Sequence, residues 1–156
     1  MPELPEVEVV KQSLNEKIYD LTIKNIEIHN KFLRYSIQEK LMKKMIKSKV
    51  LSVSRRSKYI LINLNNNHTI LIHLGMTGKI IIVDAYKKKY ATSFYYNLEN
   101  NKIAHNHLSI KFNKNISLIY NDVRKFGFIK IYKKEELRFS QHLTKLGPEP
   151  LSKNFN

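Results

Sequence analysis

Leu4, Val7, Val10, Leu14 and Ile18 recur at helical spacing and predict one amphipathic helix from Pro5 to about Ile18. Pro5 suits the first helical turn, and Glu6 and Glu8 suit its positive dipole end. The period then changes. Thr22 to His29 and Phe32 to Ile37 read as strands, and Glu39 to Lys47 reads as a short amphipathic helix carrying Leu41, Met42, Met45 and Ile46. Val50 to Ser54, Tyr59 to Leu64, Thr69 to Leu74 and Lys79 to Val83 follow as short strands, with Asn65-Asn66-Asn67 as a turn. His107 to Phe112, Ser117 to Tyr120 and Phe128 to Tyr132 complete the β content. Many short strands with brief connections predict a mainly β fold with an N-terminal α-helix, a two-sheet β-sandwich or barrel-like domain.

Asp84 to Ala104 breaks the pattern. It is polar, has lysines at 87 to 89, lacks a period and reads as a long surface loop. Leu146-Gly147-Pro148-Glu149-Pro150-Leu151 reads as a boundary, giving one domain over 1–150 and the start of a linker over 151–156. A chain of 156 residues is long enough for one real core.

Charge narrows the partners. Lys and Arg number 28 against 13 Asp and Glu, a net charge of +15, which favours a polyanion, with nucleic acid the first candidate. The abundant Asn, Ile, Lys and Tyr also fit an AT-rich genome, so charge alone does not decide. The absence of cysteine excludes disulfides and a Cys-based zinc site within this chain. No apolar run reaches transmembrane length and the N-terminus is unlike a signal peptide, so a cytoplasmic protein with no membrane partner is expected.

The chemistry begins at Met1-Pro2-Glu3. Removal of Met1 would leave Pro2 with a free secondary amine, and an α-amino group titrates near pH ~8. Attack on an aldehyde-like carbon gives an iminium ion, which has no N–H to lose and acts as an electron sink. Glu3 beside it is a candidate proton donor. Lys58, at the start of an apolar strand, is a candidate for phosphate contact or proton transfer. His73-Leu74-Gly75-Met76-Thr77-Gly78 holds two of the chain's four glycines, so the backbone turns sharply there and places Met76 at the tip. Asn121-Asp122-Val123-Arg124-Lys125-Phe126-Gly127 offers an aromatic to enter a base stack, Arg for base edges and Lys for phosphate. A plain strand turn with Phe126 inward and Asp122 paired to Arg124 remains open. His105-Asn106-His107, with His73 as third ligand, invites a metal reading. Phosphate contact by His105 or simple surface histidines fit better.

These elements, in this order, resemble the formamidopyrimidine-DNA glycosylase family of bacterial base-excision repair. The resemblance rests on the Pro2-Glu3 start, Lys58-Tyr59, His73-Leu74-Gly75-Met76 and Asp122-x-Arg124-x-Phe126-Gly127, and it spans the chain. The last two elements are similar to the purine-directed branch rather than to the related endonuclease VIII enzymes. The resemblance implies that Pro2 attacks the deoxyribose C1′, that Glu3 protonates the sugar oxygen, and that Lys58 contacts phosphate and supports elimination. Glu6 and His73 match supporting active-site positions. His105, Arg124 and Lys125 match DNA-contacting positions, and Met76, Arg124 and Phe126 would fill the gap left by the extruded base. Lys125 replaces the usual arginine and Val123 a frequent proline.

The implied function is a bifunctional glycosylase and abasic-site lyase that removes oxidised purines, 8-oxoguanine and formamidopyrimidines, from double-stranded DNA. A monomer and no cofactor in this chain are expected. Arg124 offers only donors, which suits the N3 and O2 acceptors of cytosine opposite the lesion. Family members continue into a helix–two-turn–helix domain and usually a zinc finger, neither of which occurs in these residues. Two rivals therefore stand: a non-catalytic DNA-binding remnant, and a lyase acting only on abasic sites.

Overall fold

A computed structural model describes residues 4–92 and 103–137. Helix α1 (Leu4–Ile18) precedes strand β1 (Ile23–Ile28), the short helix α2 (Glu39–Lys43) and strands β2 (Val50–Arg56), β3 (Tyr59–Leu64), β4 (His68–His73), β5 (Gly78–Val83) and β6 (Lys89–Ala91). After them come β7 (Asn106–Phe112), β8 (Ser117–Asp122), β9 (Phe128–Lys133) and α3 (Lys134–Leu137). The strands form two antiparallel sheets, ordered β1-β7-β8-β5-β6 and β2-β3-β4-β9. The sandwich is confirmed and the sheets do not close into a barrel.

The main core lies between the sheets. Ile60, Ile62, Ile70, Ile72, Ile129 and Ile131 meet Ile80, Ile82, Leu108, Ile110, Leu118 and Tyr120 there. Val7, Val10, Leu14 and Ile18 of α1 join this core, and the helix packs on β2 and β3. Each such side chain, fully buried, stabilises by about 1.5–3 kcal/mol. The unbroken apolar runs of β3 and β4 have a separate cause. Leu61, Leu71 and Phe128 point to the other face of their sheet, where Leu137 of α3 and the rings of Tyr35, Tyr59 and Tyr132 cover them. A sheet buried on both faces reads as a continuous apolar run rather than an alternation.

Three expectations need correction. Phe32 to Ile37 is not a strand but a tight loop closed by one bridge between Phe32 and Ser36, with the Ile37 amide donating to the Lys31 carbonyl at 2.9 Å. Leu33 and Ile37 are buried from that loop, which mimics a strand's alternation. Helix α2 stops at Lys43 because the amides of Lys44, Met45 and Ile46 donate to carbonyls three residues back, closing tight turns instead of a helix. The stretch from Asp84 is not all loop. Asp84 Oδ1 accepts from the amides of Tyr86 and Lys88, both at 2.9 Å, and the resulting turn returns the chain as β6 on β5. Residues 93–102 lie outside the described residues, as does the boundary expected at 146–151.

Candidate nucleic-acid interface and active site

Four connections meet at one end of the sandwich. Across the four-stranded sheet, Arg56 pairs with Tyr59, Tyr59 with His73 and His73 with Phe128. This row brings together the β2–β3 turn that carries Lys58, the β4–β5 turn with Met76, and the β8–β9 loop with Arg124 to Gly127. In the five-stranded sheet, Gly78 pairs with Asp122 and Asn106 with Asn121. That register adds His105, in a 3-10 turn just before β7, to the same end.

The direction of α1 follows from its contacts. Asn15 Oδ1 accepts from the Val53 amide at 2.9 Å, and Glu8 Oε1 accepts from Arg55 Nε at 2.7 Å. The helix therefore runs with its N-terminal end toward the Lys58 turn. Arg55 also donates from Nη1 to the Ser57 carbonyl at 3.0 Å, so one guanidinium ties helix and turn. Burial pushes the Glu8 carboxyl up, but hydrogen bonds and charge from Lys11 and Arg55 more than offset this and hold it below the usual carboxylate range. Glu8 thus serves as an ion-pair partner rather than as a dipole-end charge. Glu6 is half-buried in the first turn of α1. Pro2 and Glu3 lie outside the described residues.

The β4–β5 turn and the β8–β9 loop touch backbone to backbone. Gly75 has φ +61°, and a Cβ on it would lie 2.6 Å from the Gly127 amide nitrogen. At Gly127 a Cβ would lie 1.9 Å from the Tyr120 hydroxyl and 2.5 Å from the His73 carbonyl oxygen. Glycine is required at both points by this contact. The His73 ring is buried, stacks on Phe128 at 5.2 Å and 7°, and accepts the Gly75 amide at Nδ1 at 3.1 Å. It fixes the turn from below.

Asp122 does not pair with Arg124. It is fully buried, and its carboxylate accepts from Thr77 Oγ1 at 2.6 Å, Tyr120 Oη at 2.8 Å, the Gly127 amide at 3.0 Å and the Lys125 amide at 3.1 Å. The Asp122 carbonyl accepts from His107 Nε2 at 2.7 Å, so that nitrogen carries the proton. His107 thus fastens β7 to Asp122, and His73 holds its own turn. Among the described residues no group of three His, Asp or Glu is placed to hold a metal ion.

With Asp122 saturated from inside, the loop side chains face outward. Met76, Phe126 and Val123 are 52 %, 47 % and 51 % exposed, so Phe126 is not an inward core residue. The Arg124 guanidinium lies between two of them, with Nη1 3.9 Å from Met76 Sδ and its centre 5.0 Å from the Phe126 ring. Met76, Arg124 and Phe126 form one ridge. Beside it is an open depression of about 590 Å³ lined by Arg34, His73, Gly75 and Lys125 together with that ridge. Arg34 is a residue the sequence did not single out. The tight 32–37 loop brings it in, with its amide donating to the Gly127 carbonyl at 3.2 Å. Thr77, Tyr120, Glu8 and Arg55 were likewise not legible as site residues.

An exposed apolar ridge threaded by one arginine and rimmed by cations is what entry into a base stack requires. Comparison with known proteins decides the lineage. Residues 1–129 match the model of the formamidopyrimidine-DNA glycosylase N-terminal domain.

The chain belongs to the formamidopyrimidine-DNA glycosylase family. It is 37% identical over 156 residues to the formamidopyrimidine-DNA glycosylase of Rickettsia bellii, covering 99% of this chain and 52% of that protein. The enzyme of the same name from Rhodopseudomonas palustris is 33% identical, with 100% and 53% covered. The chain therefore spans about half the length of the curated relatives it matches. Among solved structures, Lactococcus lactis Fpg in complex with DNA containing an abasic site superimposes with a TM-score of 0.77, at 29% identity, over 99% of this chain and 53% of that one. The Fpg complex with a THF-DNA and an inhibitor gives 0.77 at 30% identity, with 99% and 52% covered. The family's expected fold, mainly β with an N-terminal helix, is the fold observed. Among the described residues, no helix is long and apolar enough to cross a membrane.

Proposed function

We propose that this chain supplies the catalytic and wedge-bearing half of a base-excision DNA glycosylase that is also an abasic-site lyase, acting on oxidised purines in double-stranded DNA. The observation that carries this reading is the Met76–Arg124–Phe126 ridge, exposed at the end of the sandwich toward which α1 directs its N-terminus. A glycosylase must take the damaged nucleotide out of the stack, and an apolar wedge fills the space left behind. The helix start at Leu4 stands two residues from Pro2, and it faces the Lys58 turn.

The amine of Pro2 attacks C1′ of the damaged nucleotide. Glu3 protonates the sugar ring oxygen as the ring opens, and the base departs with its bonding pair and a proton. The resulting iminium carries its positive charge next to C2′ and so acidifies the C2′ proton. Loss of that proton expels the 3′ phosphate and cleaves the strand by β-elimination. Lys58 and Lys125 hold phosphates, His105 adds a further phosphate contact, and Glu6 and His73 support the site. Arg124 donates to the N3 and O2 of the cytosine left without a partner. Adenine presents a donor at the corresponding edge, so a lesion opposite cytosine is preferred. The protein acts as a monomer on bacterial chromosomal DNA.

Borohydride reduction tests the reading. The protein, incubated with abasic DNA and with 8-oxoguanine DNA, is expected to be trapped on both. Trapping on abasic DNA alone would reduce the function to a lyase. Binding without any adduct would leave a DNA-binding module without catalysis.

A further inference from the structure

We infer that Thr77 and Asp122 are positioning residues that set the two halves of the wedge against each other. The inference rests on the DNA reading above and adds to it how Met76 and Arg124, which come from different loops, are kept at one spacing.

Thr77 follows Met76 directly in the chain. Its single hydroxyl donates to Asp122 Oδ1 at 2.6 Å and accepts the Arg124 backbone amide at 2.9 Å. One oxygen thus links the residue after the Met76 tip to the backbone of the arginine beside it. Asp122 fixes the other end of the link. Its carboxylate collects Thr77 from the β4–β5 turn, Tyr120 from β8, and the Lys125 and Gly127 amides from the β8–β9 loop. Those two loop amides flank Phe126, so the aromatic of the wedge hangs from the same carboxylate. Lys125 has φ +59°, a costly value for a residue with a side chain, and its bond to Asp122 Oδ1 holds that conformation.

The consequence lies in the wedge rather than in the core. Met76, Arg124 and Phe126 are exposed and touch one another only lightly, so their own contacts do not fix their spacing. Three side chains that must fill one base-sized gap insert more readily when already ordered, because the ordering entropy is then not charged against insertion. Thr77→Val keeps the shape of the side chain and removes both of its hydrogen bonds. Thr77→Ser keeps both.

The test has two readouts. The first is hydrogen exchange of the Arg124 amide without DNA. It should accelerate about 5- to 30-fold in Thr77→Val, the factor expected from one or two lost hydrogen bonds, and stay near wild type in Thr77→Ser. The second uses a duplex with a tetrahydrofuran abasic analogue and 2-aminopurine beside it. Anisotropy reads binding, and the fluorescence rise reads unstacking by the wedge. Wild type and Thr77→Ser should unstack the reporter, while Thr77→Val should bind within a few-fold but lose most of the rise. Thr77→Ala serves the same comparison should the valine variant not fold. A valine variant indistinguishable from wild type in both readouts, or a serine variant as impaired as valine, overturns the inference. A wild-type protein that does not bind the duplex at all overturns the DNA reading, and this inference with it.

Discussion

Arg55 Nε donates to Glu8 Oε1 at 2.7 Å and so fastens the helix that begins at Leu4 to the hairpin that ends at Lys58. The same guanidinium reaches the Ser57 carbonyl, one residue before Lys58. An amine at the chain terminus is useful only if the helix behind it stays in place, and this ion pair, with the Val53 amide bond to Asn15, ties that helix down. Lys11 reinforces it at 2.8 Å.

The anchor titrates. The folded-state pKa of Glu8 is depressed below its ordinary 4.5, so its contribution is fully present above about pH 4.5 and fades as pH falls through the folded value. Glu8→Gln should therefore melt lower than wild type at pH 7, by about 1 kcal/mol of stability, because the pair is only partly shielded. The two proteins should converge as pH falls below about 4.5 and through the lowered folded-state value. Melting curves across that range check the sign. A gap that does not narrow at all as the protein is taken into acid would contradict the role given to Glu8.

Gly75→Ala meets the backbone of Phe126 and Gly127, and the position has a left-handed φ. Neither neighbour is a flexible side chain that can swing away. A loss of about 2–3 kcal/mol is expected, lowering Tm by roughly 5–12 °C for a chain of this size. Calorimetry showing a shift under about 1 °C would mean the two loops are not in the contact described.

The wedge should separate stability from recognition. Arg124→Ala and Met76→Ala remove exposed side chains, so stability should change by no more than about 0.5 kcal/mol. Recognition should suffer more. Arg124→Ala should lose discrimination between cytosine and adenine opposite the lesion by about 10-fold or more. Competition binding with the two duplexes measures this, and an unchanged ratio would remove Arg124 from base reading.

Lys125 is expected to contact phosphate rather than base. Lys125→Ala should weaken binding alike for every duplex, and the slope of log K against log salt should become shallower by about 0.9. Titrations at several salt concentrations decide this. A slope that does not move would place Lys125 off the DNA.

The sheets were legible because periodicity reports burial directly. α1 and eight of the nine strands lie where the apolar pattern put them, since their cores are simple one- or two-sided faces. The failures share a cause. The 32–37 loop buries Leu33 and Ile37 through a turn whose spacing imitates a strand, and Asp84 builds a hairpin through backbone amides that leave no periodic mark. In the site, Met76, Arg124 and Phe126 were legible because glycines and cations cluster around them. Thr77, Tyr120 and Arg55 were not, because each works through hydrogen bonds that leave no periodic mark, to Asp122 and Arg124, to Asp122 and His73, and to Glu8 and Ser57 respectively. Asp122 shows the limit. Its place in the motif was visible, but three of its donors depend on the local turn of the loop and the fourth, Thr77, comes from a distant turn that only the fold brings near.

The account depends most on the amine of Pro2 forming the covalent bond to DNA. Mass spectrometry of the borohydride-reduced complex, digested to a nucleotide-bearing peptide, reads the bonded residue directly. The account predicts a modified peptide that begins at Pro2 with Met1 removed. An adduct mapped to Lys58 or another lysine, or one on protein that retains Met1, would contradict it.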